Sequence, residues 1–190
     1  MQHKNLTAVQ CPIARSLAKV GEWWSILILR DAFAGLSRFD HFQKGLGIAP
    51  NMLTRRLKTL VEEGLLERRA YSANPPRYEY LLTQKGRDFR PVLWALLAWG
   101  NKHLAPEGES TVIVDAQTGE RAEPVLVDAR TGRLLRSPDF KVAPGPAASQ
   151  RTRRRHLGIE EYIRVDLNAP TGVEPAKASK RTTARKGVRS

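Results

Sequence analysis

Asn51, Thr54, Arg55 and Lys58 lie within eight residues of one another, and their side chains are suited to reading duplex nucleic acid. Arg and Lys can pair with guanine or with phosphate, Asn with adenine and Thr with either, provided that one rigid element presents them together. The spacing supplies that element. Leu53, Leu57, Leu60 and Val61 recur at i, i+4, i+7 and i+8, the apolar stripe of a helix. At about 100° per residue the four polar residues fall on or beside the opposite face. Pro50 suits a first helical turn and Gly64 a C-terminal stop. The pattern predicts a helix from Pro50 to Glu63 with a polar, basic exposed side, and an α-helix fits the major groove of DNA. Arg56 falls nearer the flank, where it could reach a phosphate or simply pack.

The surrounding segments read as the frame for that helix. Residues 65–71 and 77–82 are strand-like, and Ser72-Ala73-Asn74-Pro75-Pro76 between them carries breakers. They predict a hairpin, the wing of a winged helix, whose Ser72, Asn74 and Arg77 could follow the DNA backbone or enter the minor groove. Upstream, Pro12 with Ile13, Leu17 and Val20 marks a helix stopping near Gly21. Residues 23–29 are apolar almost all round, as in a helix central to a small core. Ser37 reads as the N-cap of a third helix, with Asp40 completing a loose capping box, Phe39 and Phe42 turned inward, and Gly45-Leu46-Gly47 as its turn. Arg38 in its first turn could contact a phosphate. Downstream, Thr83 caps a helix expected from Gln84 to Leu104. Its Phe89, Val92, Leu93, Leu96, Leu97, Trp99 and Leu104 cover nearly half the circumference, with Trp94 outside that sector. The surplus predicts a two-fold dimer contact through Phe89, Leu93, Trp94 and Leu97; the alternative is that the C-terminal segment folds back over this face.

Taken in order, Cys11-Pro12-Ile13-Ala14-Arg15, Trp23 through Arg30-Asp31, Arg38-Phe39 and Leu53-Thr54-Arg55-Arg56-Leu57 form a recognisable series. Gly64-Leu65-Leu66-Glu67-Arg68, Pro75-Pro76-Arg77-Tyr78-Glu79-Tyr80 and Leu82-Thr83-Gln84-Lys85-Gly86 continue it. Over roughly residues 11–100 the chain resembles the HxlR-type bacterial transcriptional regulators. The resemblance implies a dimeric winged helix-turn-helix protein that binds DNA, an α+β fold with mostly α content. Two positions depart from the family pattern: Glu22 stands where Lys is common and Ala49 where Ser often precedes the recognition-helix Pro. Some members of the family use a cysteine at the position of Cys11 to sense oxidants or electrophiles.

Composition agrees with a polyanionic partner. The chain has 32 Lys+Arg against 19 Asp+Glu, a formal net charge of +13, and a pI near 10.5. Residues 1–104 alone carry 16 Lys+Arg against 8 Asp+Glu, so the DNA-reading half is basic by itself. Such a field suits nucleic acid or an anionic surface. The densest apolar run, 92–99, is far short of the roughly 20 residues of a membrane span, and residues 1–10 lack the apolar core of a signal peptide, so a soluble cytoplasmic protein is expected. One cysteine excludes an internal disulfide framework and fits a reducing compartment. Cys11 precedes the first helix and lies one turn from Arg15, where dipole and guanidinium could both favour thiolate. Sensing would need a cross-dimer disulfide or a mixed adduct, and the other reading is a buried structural thiol. His3, His41, His103 and His156 are scattered, and no metal-ligand spacing or nucleotide-binding motif occurs. These observations call for no metal, no cofactor and no enzyme. Trp23, Trp24, Trp94 and Trp99 could line a pocket for a small effector between dimer helices, or serve as plain core.

Beyond Pro106 the pattern changes. Val114-Asp115-Ala116-Gln117-Thr118-Gly119 and Val127-Asp128-Ala129-Arg130-Thr131-Gly132 form an internal repeat, each preceded by a strand-like run. A small β-meander is expected over 110–136. Residues 137–175 read as a Pro/Ala linker, a basic cluster at Arg151 to Arg155 and one uncertain element at 157–167. The ends, 1–10 and 176–190, read as a flexible N-terminus and a disordered basic tail. The function expected is a sequence-specific regulator, binding double-stranded DNA as a homodimer on a pseudo-palindromic operator. A basic RNA-binding or ribosome-associated protein, a protein-interaction module built on a winged-helix scaffold, and a repressor that senses oxidants through Cys11 are the alternatives.

Overall fold

The computed structural model describes residues 11–154 and 156. The N-terminus expected to be flexible, the element expected at 157–167 and the basic tail expected to be disordered lie outside the described residues. Four helices come first: α1 (Pro12–Val20), α2 (Trp23–Phe33), α3 (Phe39–Leu46) and α4 (Pro50–Glu62). The hairpin β1 (Leu66–Ser72) and β2 (Arg77–Leu82) follows, then α5 (Gln84–Arg87) and α6 (Arg90–Leu104). A small extension holds β3 (Ile113–Val114), β4 (Arg121–Ala122) and α7 (Gln150–Arg154). No helix among the described residues is long and apolar enough to cross a membrane.

The core lies where the apolar stripes meet. Ile28 and Leu29 of α2, Phe42 of α3, and Leu53, Leu57 and Leu60 of α4 are fully buried, with Leu65 and Leu66 closing the layer from the hairpin side. Burying one such side chain is worth about 1.5–3 kcal/mol, so the orientation of α4 is set mainly by its three leucines. α2 is central, touching α1, α3, α4, β2 and α6. Its apolar character does not make it buried all round, because Trp23 stacks on Trp24 with centroids 3.9 Å apart and remains exposed.

Three local expectations are corrected. Ser37 does not cap α3: Arg38 occupies the N-cap without a side-chain bond, and the Ser37 carbonyl accepts the Tyr80 N–H at 2.7 Å. Arg38 also bridges Glu79. The two residues thus serve as a minimal third strand beside β2, which removes Ser37 from the helix start and puts Arg38 ahead of the first turn. α3 itself runs on to Leu46, and Gly47 at φ +62° turns the chain into α4. The helix expected from Gln84 to Leu104 is broken at Asp88-Phe89. Pro91 has no N–H to give to a continuous ladder and sits instead in the first turn of α6. The extension is two separate hairpins and not a meander: Ile113 pairs with Ala122 and Val114 with Arg121, while Val127 bridges Leu134.

The repeat explains those hairpins. Asp115 Oδ1 accepts the N–H groups of Gln117 and Thr118 at 2.7 and 3.0 Å. Its backbone N–H donates to Glu120 O, and Gly119 closes the turn at φ +73°. Asp128 repeats the device with Arg130 N–H and the Thr131 hydroxyl, and Gly132 has φ +69°. These donors hold both carboxyls below the usual aspartate range, the Thr118 N–H being the largest influence on Asp115 and the Thr131 hydroxyl on Asp128. The first hairpin is tied to α6 by Asn101 Nδ2, which donates to Thr111 O at 2.9 Å.

Candidate nucleic-acid interface

Burial of Leu53, Leu57 and Leu60 leaves the rest of α4 pointing outward, and Asn51, Thr54, Arg55 and Lys58 are all exposed. Pro50 stands at the first helical position behind Ala49, which offers no side-chain cap, and Asn51 Oδ1 accepts the Met52 N–H at 2.7 Å. The Thr54 hydroxyl donates to Pro50 O at 2.8 Å, leaving its oxygen able to accept. Among the described residues Arg55 meets a soft acceptor, Met52 Sδ, at 3.3 Å from Nη2. Lys58 lies 3.7 Å from Glu62 one turn on. An exposed i,i+4 pair of this kind contributes about 0.3–0.5 kcal/mol and yields easily to a competing anion. Four donors or acceptors of the right kinds are therefore displayed on one helix face.

Other charges on and around α4 are committed elsewhere. Arg56 Nη2 pairs with Glu22 Oε2 at 2.8 Å. Lys19 Nζ reaches Glu63 Oε1 at 2.6 Å, tying α1 to the end of the helix, and Lys85 Nζ donates to Glu63 O at 2.6 Å. Cations at a helix C-terminus are favoured by its dipole. The pairs at Arg56 and Glu63 join residues far apart in sequence, so no local pattern announces them.

The wing packs against this frame, β1 on α4 and β2 on α3. At its tip Asn74 and Arg77 are exposed, whereas the Ser72 hydroxyl donates to Pro75 O at 3.1 Å and serves the turn. Arg38 lies with its guanidinium 4.5 Å from the Tyr71 ring centre, and Arg68 lies 3.9 Å over Tyr78. Arg69 pairs with Glu79 at 2.8 Å. Arg38 thus bridges α3 and the wing while its side chain stays exposed.

The expected dimer contacts divide into two groups. Phe89 and Leu93 pack against the subunit's own core, whereas Trp94 is exposed along with Val92, Leu96, Trp99 and Leu104. Leu97 is half-buried beside a shallow open cleft of about 500 Å³ between α6 and the first hairpin. Of the four tryptophans, Trp99 lines that cleft. The sequence reading missed a second apolar surface: Ile13 and Leu17 of α1 are exposed, near three-quarters and one-half. Helical periodicity finds such a stripe but cannot say what covers it. Cys11 takes the N-cap position of α1 in extended conformation and is half-buried, its carbonyl accepting the Arg15 N–H at 3.0 Å.

Comparison with known proteins agrees with this geometry. Residues 19–108 match the model of the HxlR-like helix-turn-helix family. Rv3095 of Mycobacterium tuberculosis, an uncharacterized HTH-type transcriptional regulator, is 40% identical over 135 residues, 70% of this chain and 85% of that protein. Two solved structures are similar. PA1374, a candidate transcription factor from Pseudomonas aeruginosa, is 55% identical with a TM-score of 0.56, covering 76% of this chain and 99% of its own. PA1607, a candidate transcription factor, is 38% identical with a TM-score of 0.66, covering 74% and 99%. These shares exceed the family-matched region, so part of the extension is common to the solved structures.

Proposed function

The chain belongs to the HxlR-like helix-turn-helix family, and from that premise we propose that this DNA-binding transcriptional regulator acts as a homodimer on a pseudo-palindromic operator. The observation that carries the reading is the sidedness of α4: three leucines are fully buried while Asn51, Thr54, Arg55 and Lys58 are exposed together. In this reading α4 enters the major groove with Pro50 at its leading end. Asn51 and Arg55 address base edges, and Thr54 and Lys58 bases or phosphates. Arg38, Asn74 and Arg77 contact the backbone on either side. The apolar face of α6 around Trp94 meets its two-fold mate and sets the half-site spacing, about one helical turn of DNA. The reading calls for no cofactor and no catalytic residue, and it places the protein in the cytoplasm with DNA.

The test is a titration of fluorescent duplex from the gene's own upstream region against scrambled duplex and matched RNA, across a salt series. Natural regulators typically prefer their sites by about 10³-fold or more. A gap of that order is expected for the upstream duplex. Equal, steeply salt-dependent binding to every polymer would overturn the reading, and preference for RNA would favour the ribosome-associated alternative.

A further inference from the structure

Arg55 and Arg56 are neighbours on α4 with opposite fates. Arg55 is exposed, whereas the Arg56 side chain keeps only 12% of its surface, with Nη2 2.8 Å from Glu22 Oε2. Its Nε is buried without a hydrogen-bond partner. Leaving such a donor unsatisfied costs the protein the full desolvation of that group. The leucine stripe does not demand that cost, because an arginine at a helix flank can extend its head into solvent. What draws the guanidinium inward is Glu22, the N-cap residue of α2, whose own side chain stays 56% exposed. A carboxylate therefore stands beside the reading helix, binding an arginine that would otherwise be free to meet a phosphate.

We infer that Glu22 is a specificity-determining residue of the DNA face: it withdraws Arg56 from indiscriminate phosphate contact and fixes the rotation of α4 against α2. The inference rests on the assignment of α4 as the reading helix. With Glu22 in place, affinity depends on the side chains that address bases. Without its charge Arg56 gains the freedom to swing outward, and binding becomes tighter but less selective. The exposed carboxylate also repels phosphates of any sequence, an effect that acts alike on all duplexes and is separable for that reason.

The test uses the full chain, as wild type, Glu22→Gln and the double variant Glu22→Gln/Arg56→Gln, titrated with the upstream and scrambled duplexes over a salt series. Each phosphate newly neutralised steepens the dependence of log K on log salt by about 0.9. Glu22→Gln is expected to bind scrambled duplex several-fold tighter with a slope steeper by about that amount, while the upstream-to-scrambled ratio falls about tenfold. The double variant should return the slope to the wild-type value and keep the low ratio, because it lacks both the released arginine and the tie that orients α4. An unchanged slope for Glu22→Gln overturns the release of Arg56. An equal rise on both duplexes, with the ratio intact, overturns the orienting role and leaves Glu22 a simple repulsive charge. If the wild type shows no preference at all, the assignment of α4 as reader fails, and the slope on scrambled duplex still decides the release of Arg56.

Discussion

Replacing Arg55 by Ala separates base reading from electrostatic attraction most cleanly. The structure makes the folding cost small: Arg55 is exposed, its side-chain hydrogen bond among the described residues goes to the weakly accepting Met52 sulfur, and Ala is at least as good a helix former. A change within about 0.5 kcal/mol of stability is expected, as for surface positions generally. The binding cost is larger on the right DNA. A bidentate arginine–guanine contact discriminates by about 1–3 kcal/mol, which at 1.4 kcal/mol per decade is roughly 5- to 150-fold. On scrambled duplex the variant loses only one mobile charge, and a drop of a few fold is expected. The assay is fluorescence anisotropy with both duplexes at fixed salt, alongside urea unfolding of the same preparations. Equal losses on the two duplexes would refute the reasoning and reassign Arg55 to phosphate contact. A large fall in stability would show that the residue holds the helix in place.

Gly86→Ala should be strongly destabilising, because an added Cβ would lie 2.1 Å from Leu65 O. A shift of about 1–3 kcal/mol or more in urea unfolding is expected, and a value near zero would mean that α5 is not seated against the Leu65 backbone. Trp94→Glu should dissociate the proposed dimer while leaving the core intact, since Trp94 is exposed and the core leucines are not; sedimentation velocity reads the outcome, and an unchanged dimer would move the interface away from α6. Acid should loosen the two extension turns before the core. The folded-state carboxyls of Asp115 and Asp128 titrate below the ordinary value, so their contribution is present above about pH 4 and is lost as pH falls through the lower, folded value. Amide exchange at Gln117 and Thr118 should quicken over that window, and Asp115→Asn, which keeps an accepting oxygen, should remove the dependence at the first turn.

How far the fold could be read in advance depended on the length over which a signal repeats. α4 was legible because Leu53, Leu57 and Leu60 mark three successive turns, and all three are buried. The wing was legible because Asn74-Pro75-Pro76 interrupts two strand-like runs, and the observed register pairs them as Leu66 with Leu82 through Ser72 with Arg77. Ser37–Arg38 misled because two residues are too few to show the period of a strand, and a Ser before a helix looks like a cap whether or not its backbone is engaged in a sheet. At Pro91 the apolar period runs on across the break, and periodicity outvoted the missing N–H. The Asp-x-x-Thr-Gly repeat announced two equivalent turns but not their separation, because two-residue strands such as β3 and β4 carry too little alternation to specify a partner. The ties through Glu22 and Lys19 join residues 34 and 44 positions apart, beyond the reach of any local pattern.

Those ties change how the net charge should be understood. An excess of Lys+Arg describes a field, and a field alone attracts every nucleic acid alike. In the folded chain much of that charge is engaged: Lys19 with Glu63, Arg30 with Asp31, Arg56 with Glu22 and Arg69 with Glu79, while Arg38 and Arg68 lie against aromatic rings. Arg55 and Arg77 make no ion pair among the described residues, and Lys58 makes only a long exposed one. Among the cations of α4 and the wing, those left available are thus Arg55, Arg77 and the loosely held Lys58, on the side that the proposed mode of binding turns toward DNA. If selectivity comes from this allocation, neutralising a committed cation and neutralising an available one should have unlike effects, and the contrast between Arg56 and Arg55, one residue apart on the same helix, is where that difference should be largest.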